Sequence, residues 1–180
     1  MSDLPNHTYY RACHGSWRCT VDFALTDPRA FASASIGAMN RMRVWSLLWL
    51  VRLFGPMALH TSVDYESRAA RNEVIHTTRA IKWGLPLLDS VEIISLADDG
   101  RRFTLHAEER SWPFTFLVHR YDGEGEIDAS ATRATYRLPW MGAELVQTTL
   151  REGDLVTATQ ATNWSRAVLP LRRVLSHPKG

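Results

Sequence analysis

Seven histidines and two cysteines are the side chains of this chain with the widest chemical reach. His60, His76, His106 and His119 fall on four different predicted strands, and no pair has the i, i+4 or short-loop spacing that builds a zinc site. No metal is expected. His60 shares a strand face with Ser62, Asp64 and Glu66, and His106 with Thr104 and Glu108, so both point to water. His76 alternates with Val74, Thr78 and Ala80, a face that can be the interior, and its near-neutral pKa makes it the first general-base candidate. Glu92, in "SVEIISL", is in phase with Ile94 and Leu96. Turned inward, it is a buried acid with a raised pKa that can donate or accept a proton. Tyr65 is the third candidate for moving a proton, while Tyr136 and Gln147 are polar tips able to orient a ligand by one hydrogen bond each. Every one of them reads equally well as a satisfied wall or rim residue.

The cysteines sit in "CHGSWRCTVDF". Read as one strand, that stretch separates Cys13 from Cys19 by roughly 20 Å, too far for a disulfide or a shared zinc. Both are expected to be small buried apolar groups. "GEGEID" has two glycines but no third, and reads as a hairpin joint rather than a dinucleotide loop. Walker, HExxH and Gly-x-Ser-x-Gly strings are absent. No cofactor is expected, so an enzyme here would work without one.

The elements that must position these groups follow from composition and pattern. With 180 residues and 45% hydrophobic content the chain can bury one core, expected over residues 7–175 between a flexible N-terminus (1–6) and a flexible C-terminus (176–180). The formal net charge of +2 disperses 21 basic residues among 19 acidic ones, which gives nucleic acid no basic stripe to bind. Few cysteines and no leader-like start suggest the cytoplasm. The 7 Trp, 6 Phe and 5 Tyr are suited to lining a pocket. "VWSLLWLV", bounded by Arg41, Arg43 and Arg52, is far shorter than the roughly 20 residues of a membrane span. It is read as a helix packed on the protein itself rather than on a membrane surface, with no stable membrane insertion.

From Trp17, apolar Cys19, Val21, Phe23 and Leu25 alternate with Arg18, Thr20 and Asp22, the period of a half-wet strand. Thr26 or Asp27 can cap a helix that Pro28 opens, and Gly55-Pro56 stops it. Gly37 divides this helical section, residues 28–54, whose apolar stripe is expected to be Phe31, Met42, Trp45, Leu48, Trp49 and Leu53. After Pro56, short segments rich in Val, Ile, Thr and Phe are separated by "RAARN", "GLPLLD", "ADDG", "SWP", "DGEG", "PWMG" and "REGD". Joints this short force antiparallel neighbours. The expectation is a mainly β protein: an antiparallel up-and-down barrel of about 8–10 strands, with the helical segment after strand one covering one end. The alternative is a curved antiparallel sheet wrapped round the long helix, with Trp17 an ordinary core residue.

Gly15-Ser16-Trp17 early in strand one, then helices, then a meander of hairpins, resembles the calycin group of barrels, the lipocalins and especially the fatty-acid-binding proteins. In the latter a helical pair after strand one lids the barrel. The resemblance implies that Trp17 plugs the narrow end and that a late arginine, Arg166 or Arg172, lies across its ring. The chain departs from the group in its length, its long helical section and the lack of a C-terminal helix signal. The expected function is binding of a hydrophobic or amphipathic small molecule, a lipid, polyketide or isoprenoid-like compound, in the barrel cavity. Met42, Trp45, Trp49, Tyr65, His76, Phe116, Tyr136 and Gln147 are the candidate ligand contacts. The alternative is a cofactor-independent isomerase or cyclase in the same cavity, using His76, Glu92 or Tyr65. Haem binding and a partner-binding role for the outer side of the helix rank below both.

Overall fold

The computed structural model describes residues 4–21 and 24–174. Asp22 and Phe23 of the expected first strand, residues 1–3 and the expected flexible C-terminus, residues 176–180, lie outside the described residues.

The chain begins with a helix where a loose end and then a strand are expected. In α1 (Pro5–Cys13), Pro5 occupies the first turn, where its missing N–H costs nothing. Asn6, Tyr9, Tyr10 and Cys13 follow at helical spacing and form the buried face. Asn6 is fully buried because its backbone N–H donates to the Gly100 carbonyl (2.8 Å) and its side-chain amide to that of Ala97 (2.9 Å). Gly15, at φ +123°, turns the chain from helix into β1 (Gly15–Val21). Cys13 therefore belongs to the helix, and both cysteines are free thiols.

A two-residue β2 (Ala24–Leu25) leads to α2 (Pro28–Ser33), where the Asp27 carboxylate accepts from the N–H groups of Arg29 and Ala30, both at 2.9 Å. Gly37 opens α3 (Ala38–Phe54), and Gly55, at φ +72°, ends it. Nine strands follow: β3 (Met57–Asp64), β4 (Glu73–Lys82), β5 (Leu85–Leu96), β6 (Arg102–Ser111), β7 (His119–Ile127), β8 (Arg133–Trp140), β9 (Ala143–Glu152), β10 (Leu155–Ala161) and β11 (Ser165–Arg173). Each pairs antiparallel with the next, and β1 pairs with both β3 and β11, with Trp17 opposite Thr61 on one side and Arg173 on the other. A barrel of 10 strands is thereby closed, with β2 added to β11 at the rim.

Burial alternates as the pleat demands: Phe103, Leu105, Ala107, Glu109 and Ser111 of β6 are buried and their neighbours exposed. Two joints fall elsewhere than the sequence pattern suggests. "DGEG" lies inside β7, the turn being formed by Asp128–Thr132, and residues 114–118, expected as the start of a strand, belong to a loop over 112–118. The glycines serve packing instead of turning. Gly125 is opposite both Phe103 and Tyr136, whose rings meet edge to face at 6.4 Å. A Cβ there would overlap the Phe103 ring and lie 2.7 Å from the Thr135 carbonyl.

The two ends are closed differently. α1 covers one, packing on Phe103 and Tyr136; α2 and α3 cover the other, with Phe31 against Trp164 at 5.1 Å. The buried side of α3 is Arg43, Val44, Leu47 and Val51. This corrects the expected apolar stripe: Met42, Trp45, Trp49 and Leu53 lie on its outer side.

Gly125→Ala is expected to lose about 1–3 kcal/mol of stability, the usual cost of overpacking a tight interior, measured as a shift of the urea midpoint. An unchanged midpoint would mean that this wall is not closely packed.

Candidate functional site

Between the two covers the barrel encloses a cavity of about 220 Å³. Its walls are mainly apolar, with Trp17, Leu59, Leu138, Leu145, Val156 and Leu169 among the contributors. Polar groups enter it from most strands, among them His76 on β4, Glu92 on β5, Glu109 on β6, Tyr136 on β8, Gln147 on β9 and Gln160 on β10, each placed by strand alternation.

His76 and Glu92 are directly opposite each other on β4 and β5. His76 Nδ1 lies 2.6 Å from Glu92 Oε2, with both side chains largely buried. Burial alone pulls the imidazole pKa down, but the charge of Glu92 and its hydrogen bond push it up, and the sum stands above the ordinary histidine value. Tyr136 is hydrogen-bonded to the same carboxylate, and burial together with that negative charge raises its phenol pKa well beyond the usual range. Tyr136 is therefore a proton donor throughout the neutral range. The Thr78 hydroxyl is 3.5 Å from His76 Nε2, and across the barrel Gln160 donates to Gln147 at 2.7 Å. An ion pair, a phenol and two amides thus face an apolar hollow, enough to orient a polar group on a guest or to relay one proton.

Nearer α3, Glu109 forms a second buried cluster. Its carboxylate is ion-paired with Arg43, which is fully buried, and accepts from Trp140 Nε1 at 3.0 Å. Arg43 also donates to Ser111 Oγ (2.9 Å from Nε) and to Asn40 Oδ1 (3.2 Å). Burial raises the Glu109 pKa, against the lowering by Arg43 and its hydrogen bonds. Arg43 therefore latches α3 to the wall through a desolvated ion pair.

At the α1 end Trp17 is buried and its Nε1 donates to the Cys13 carbonyl at 2.9 Å. The cation across its ring is Arg173, with the guanidinium 4.8 Å from the ring centre and donating to the Ala12 carbonyl at 2.6 Å. Arg166 and Arg172 are displaced from that role by parity. On β11, Ala167, Leu169 and Leu171 point inward, so even-numbered residues face solvent. Burial raises both thiols, Cys13 and Cys19, to about 11, which keeps them protonated and unreactive.

Of the expected site residues, His76, Glu92, Tyr136 and Gln147 line the cavity. Tyr65 is buried under α1, away from the cavity, with its hydroxyl 2.9 Å from His7 Nδ1. Met42, Trp45 and Trp49 are on the outside of α3, and Phe116 is 76% exposed in the 112–118 loop. Sequence reasoning passed over Tyr9, Tyr10, Glu109, Tyr121 and Trp140, all of which line the cavity. A signal existed for two groups: Asn6, Tyr9, Tyr10 and Cys13 repeat at helical spacing, and Glu109 is in phase with Phe103, Leu105 and Ala107. No comparable signal marked Arg43.

No protein-family model matches the chain, and no curated protein matches it in sequence. Among solved structures it is similar to the S-type phycobiliprotein lyase of Guillardia theta, with a TM-score of 0.52 and 9% identity over 94% of this chain and 93% of that one. A second is secretory abundant heat soluble protein 4 of Ramazzottius varieornatus, with a TM-score of 0.43 and 13% identity over 91% and 96%. The architecture is a calycin-like antiparallel β-barrel.

Two predictions follow from the buried charges. His76 has a folded pKa above its unfolded value of 6.5, so its contribution to stability is complete below that value and fades as pH rises through the folded one. Glu92→Gln leaves burial as the main influence and moves the NMR titration of His76 below 6.5; a titration that stays above it would sink the assignment. Arg43→Met strands Glu109 and is expected to cost about 3–5 kcal/mol, most of which the double variant Arg43→Met/Glu109→Met recovers. Equal losses in both variants, measured by chemical denaturation, would deny the latch.

Proposed function

We propose that the barrel takes up one compact hydrophobic or amphipathic small molecule, its apolar body against the Trp17 side and its polar end at His76, Glu92 and Tyr136. The observation that carries this reading is the mainly apolar cavity of about 220 Å³ inside the barrel, with the buried His76–Glu92 pair and Tyr136 on its wall. Its size narrows the class. A cavity of about 150 Å³ accommodates benzene, so this one suits an isoprenoid-like or polyketide-like guest of about one or two rings. A long acyl chain needs α3 to move. The cluster pairs its own charges, which favours a hydroxyl, phenol or carbonyl on the guest over a free ion.

A second reading is supported by the ion pair itself: His76 and Glu92, facing the same hollow beside a protonated Tyr136, have the makings of a proton relay for a cofactor-free isomerase or cyclase. Native mass spectrometry of the purified protein is expected to show a co-purifying compound. Recovery of that compound unchanged after incubation with fresh protein supports binding alone. Its rearrangement, abolished in a folded His76→Ala variant, supports turnover.

Filling the cavity should remove binding without removing the fold. Ala158→Trp, at an inward wall position, is expected to weaken uptake of the apolar dye N-phenylnaphthylamine by about tenfold or more while the circular dichroism spectrum is kept. Undiminished dye binding in the folded variant would place the dye outside the barrel and overturn the reading.

A further inference from the structure

The apolar stripe that α3 turns outward is not isolated. Met42, Trp45, Trp49, Leu53 and Phe54 form a groove wall with Trp112. Trp83, 69% exposed on the β4–β5 turn, packs edge-on against Phe54 at 4.4 Å. Leu85, at the start of β5 two residues from Trp83, and Phe116, in the loop that carries Trp112, are also exposed. Surface hydrophobics scattered singly need no explanation, whereas a contiguous patch built from three segments marks an interaction site.

Charge decides what the patch faces. Residues 28–63, 81–88 and 110–119, which carry it, contain no Asp or Glu. They do contain Arg29, Arg41, Arg52 and Lys82 besides the internally paired Arg43, and Arg110, whose cross-strand neighbour is Asp89. Arg52 lies one turn from Trp49 on the exposed side of α3, and Lys82 donates to the carbonyls of Phe54 and Pro56 beside Trp83. A second copy of the chain is a poor occupant: a two-fold contact brings the same patch together from both sides, so both surfaces would carry Arg52 and Lys82 and neither segment would supply an acid. Tryptophan, leucine and methionine in the centre with arginine and lysine around them match the depth profile of a lipid interface, apolar below and anionic above.

We propose that the outer face of α3, continued by Trp83 and Trp112, docks on the surface of an anionic lipid bilayer. No helix among the described residues is long and apolar enough to cross a membrane, so α3 lies in the interfacial plane. It stays tied to the barrel by Arg43, Val44 and Leu47 while Trp45 and Trp49 enter the headgroup layer. Docking rests on this surface alone, and stands or falls independently of any guest inside the barrel.

Flotation with lipid vesicles tests it. Vesicles of phosphatidylcholine containing about 30% phosphatidylglycerol are expected to carry the protein, and pure phosphatidylcholine to bind it about tenfold more weakly. Salt at about 1 M should release it, because screening then acts within about 3 Å. Trp49→Glu and, separately, Arg52→Glu are expected to reduce binding about tenfold or more, with unchanged circular dichroism because both side chains are exposed. Absence of vesicle binding, equal binding to neutral and anionic vesicles, or indifference to both substitutions would overturn the proposal. So would a lipid-free dimer in light scattering that Trp49→Glu dissociates, since a second copy would then be the occupant.

Discussion

Closure of the sheet through β1 is the constraint on which the rest depends. Once Trp17 points inward, antiparallel registry carries that choice round the wall: Thr61, Thr78, Ser90 and Glu109 are its successive partners across β3, β4, β5 and β6. The rung running from Val63 through His76, Glu92 and Ala107 to Tyr121 is set in the same way. A slip of one residue in any strand would send a whole row of charged side chains inward and its apolar row into water. With β1 paired on both sides there is no free edge at which such a slip can be absorbed.

Closure also obliges the wall to accommodate the polar residues that fall on inward positions, and it does so in two ways. His76 and Glu92 are cross-strand neighbours, so their pairing requires nothing beyond registry, and the pair can still face the hollow. Glu109 has His119 directly across from it on β7, yet its carboxylate is engaged by Arg43 and Trp140 instead. Its compensation comes from Arg43 on α3, outside the sheet, together with Trp140 on β8. The first arrangement leaves hydrogen-bonding capacity directed at a guest, whereas the second consumes it in holding a cover. Identical residue types thus do different work because of where along a strand they occur and what lies over that end of the barrel.

Sequence patterning carried the strand faces well, because burial alternates with period two wherever one side is wet: β6 is legible almost residue by residue, whereas β11 was not expected as a strand. The helix caps were equally legible, since Asp27, Pro28, Gly37 and Gly55 act locally. What failed depended on tertiary context. α3 is apolar nearly all round, so periodicity could not say which side meets the barrel, and the bulkiest residues were assigned inward although Val44, Leu47 and Val51 are the ones that fit. Gly123 and Gly125 carry a turn signature, yet in the closed barrel they answer a need for space beside Phe103 and Leu138. The choice of Arg173 over Arg166 or Arg172 was settled by a strand parity that could be read only with the start of β11 in hand.

The two covers differ in how they are held, and the difference bears on how a guest passes. α1 runs directly into β1, and Asn6, Ala12 and Cys13 each tie it to the barrel through hydrogen bonds to Gly100 and Ala97, to Arg173, and to Trp17. Opening that end would break several such bonds and withdraw the cation from the Trp17 ring. α3 is bounded by Gly37 and Gly55, whose backbones have the freedom to swing, and its polar attachments to the wall are the Arg43 cluster and the bonds from Lys82 to the carbonyls of Phe54 and Gly55. Exchanging its inner apolar contacts for those of a guest or a lipid surface costs little hydrophobic free energy, since apolar area buried in one place replaces apolar area buried in the other. Passage through the α3 end therefore needs the Arg43 and Lys82 contacts to reorganise, whereas passage past α1 needs the hydrogen bonds of Asn6, Ala12 and Cys13 to break.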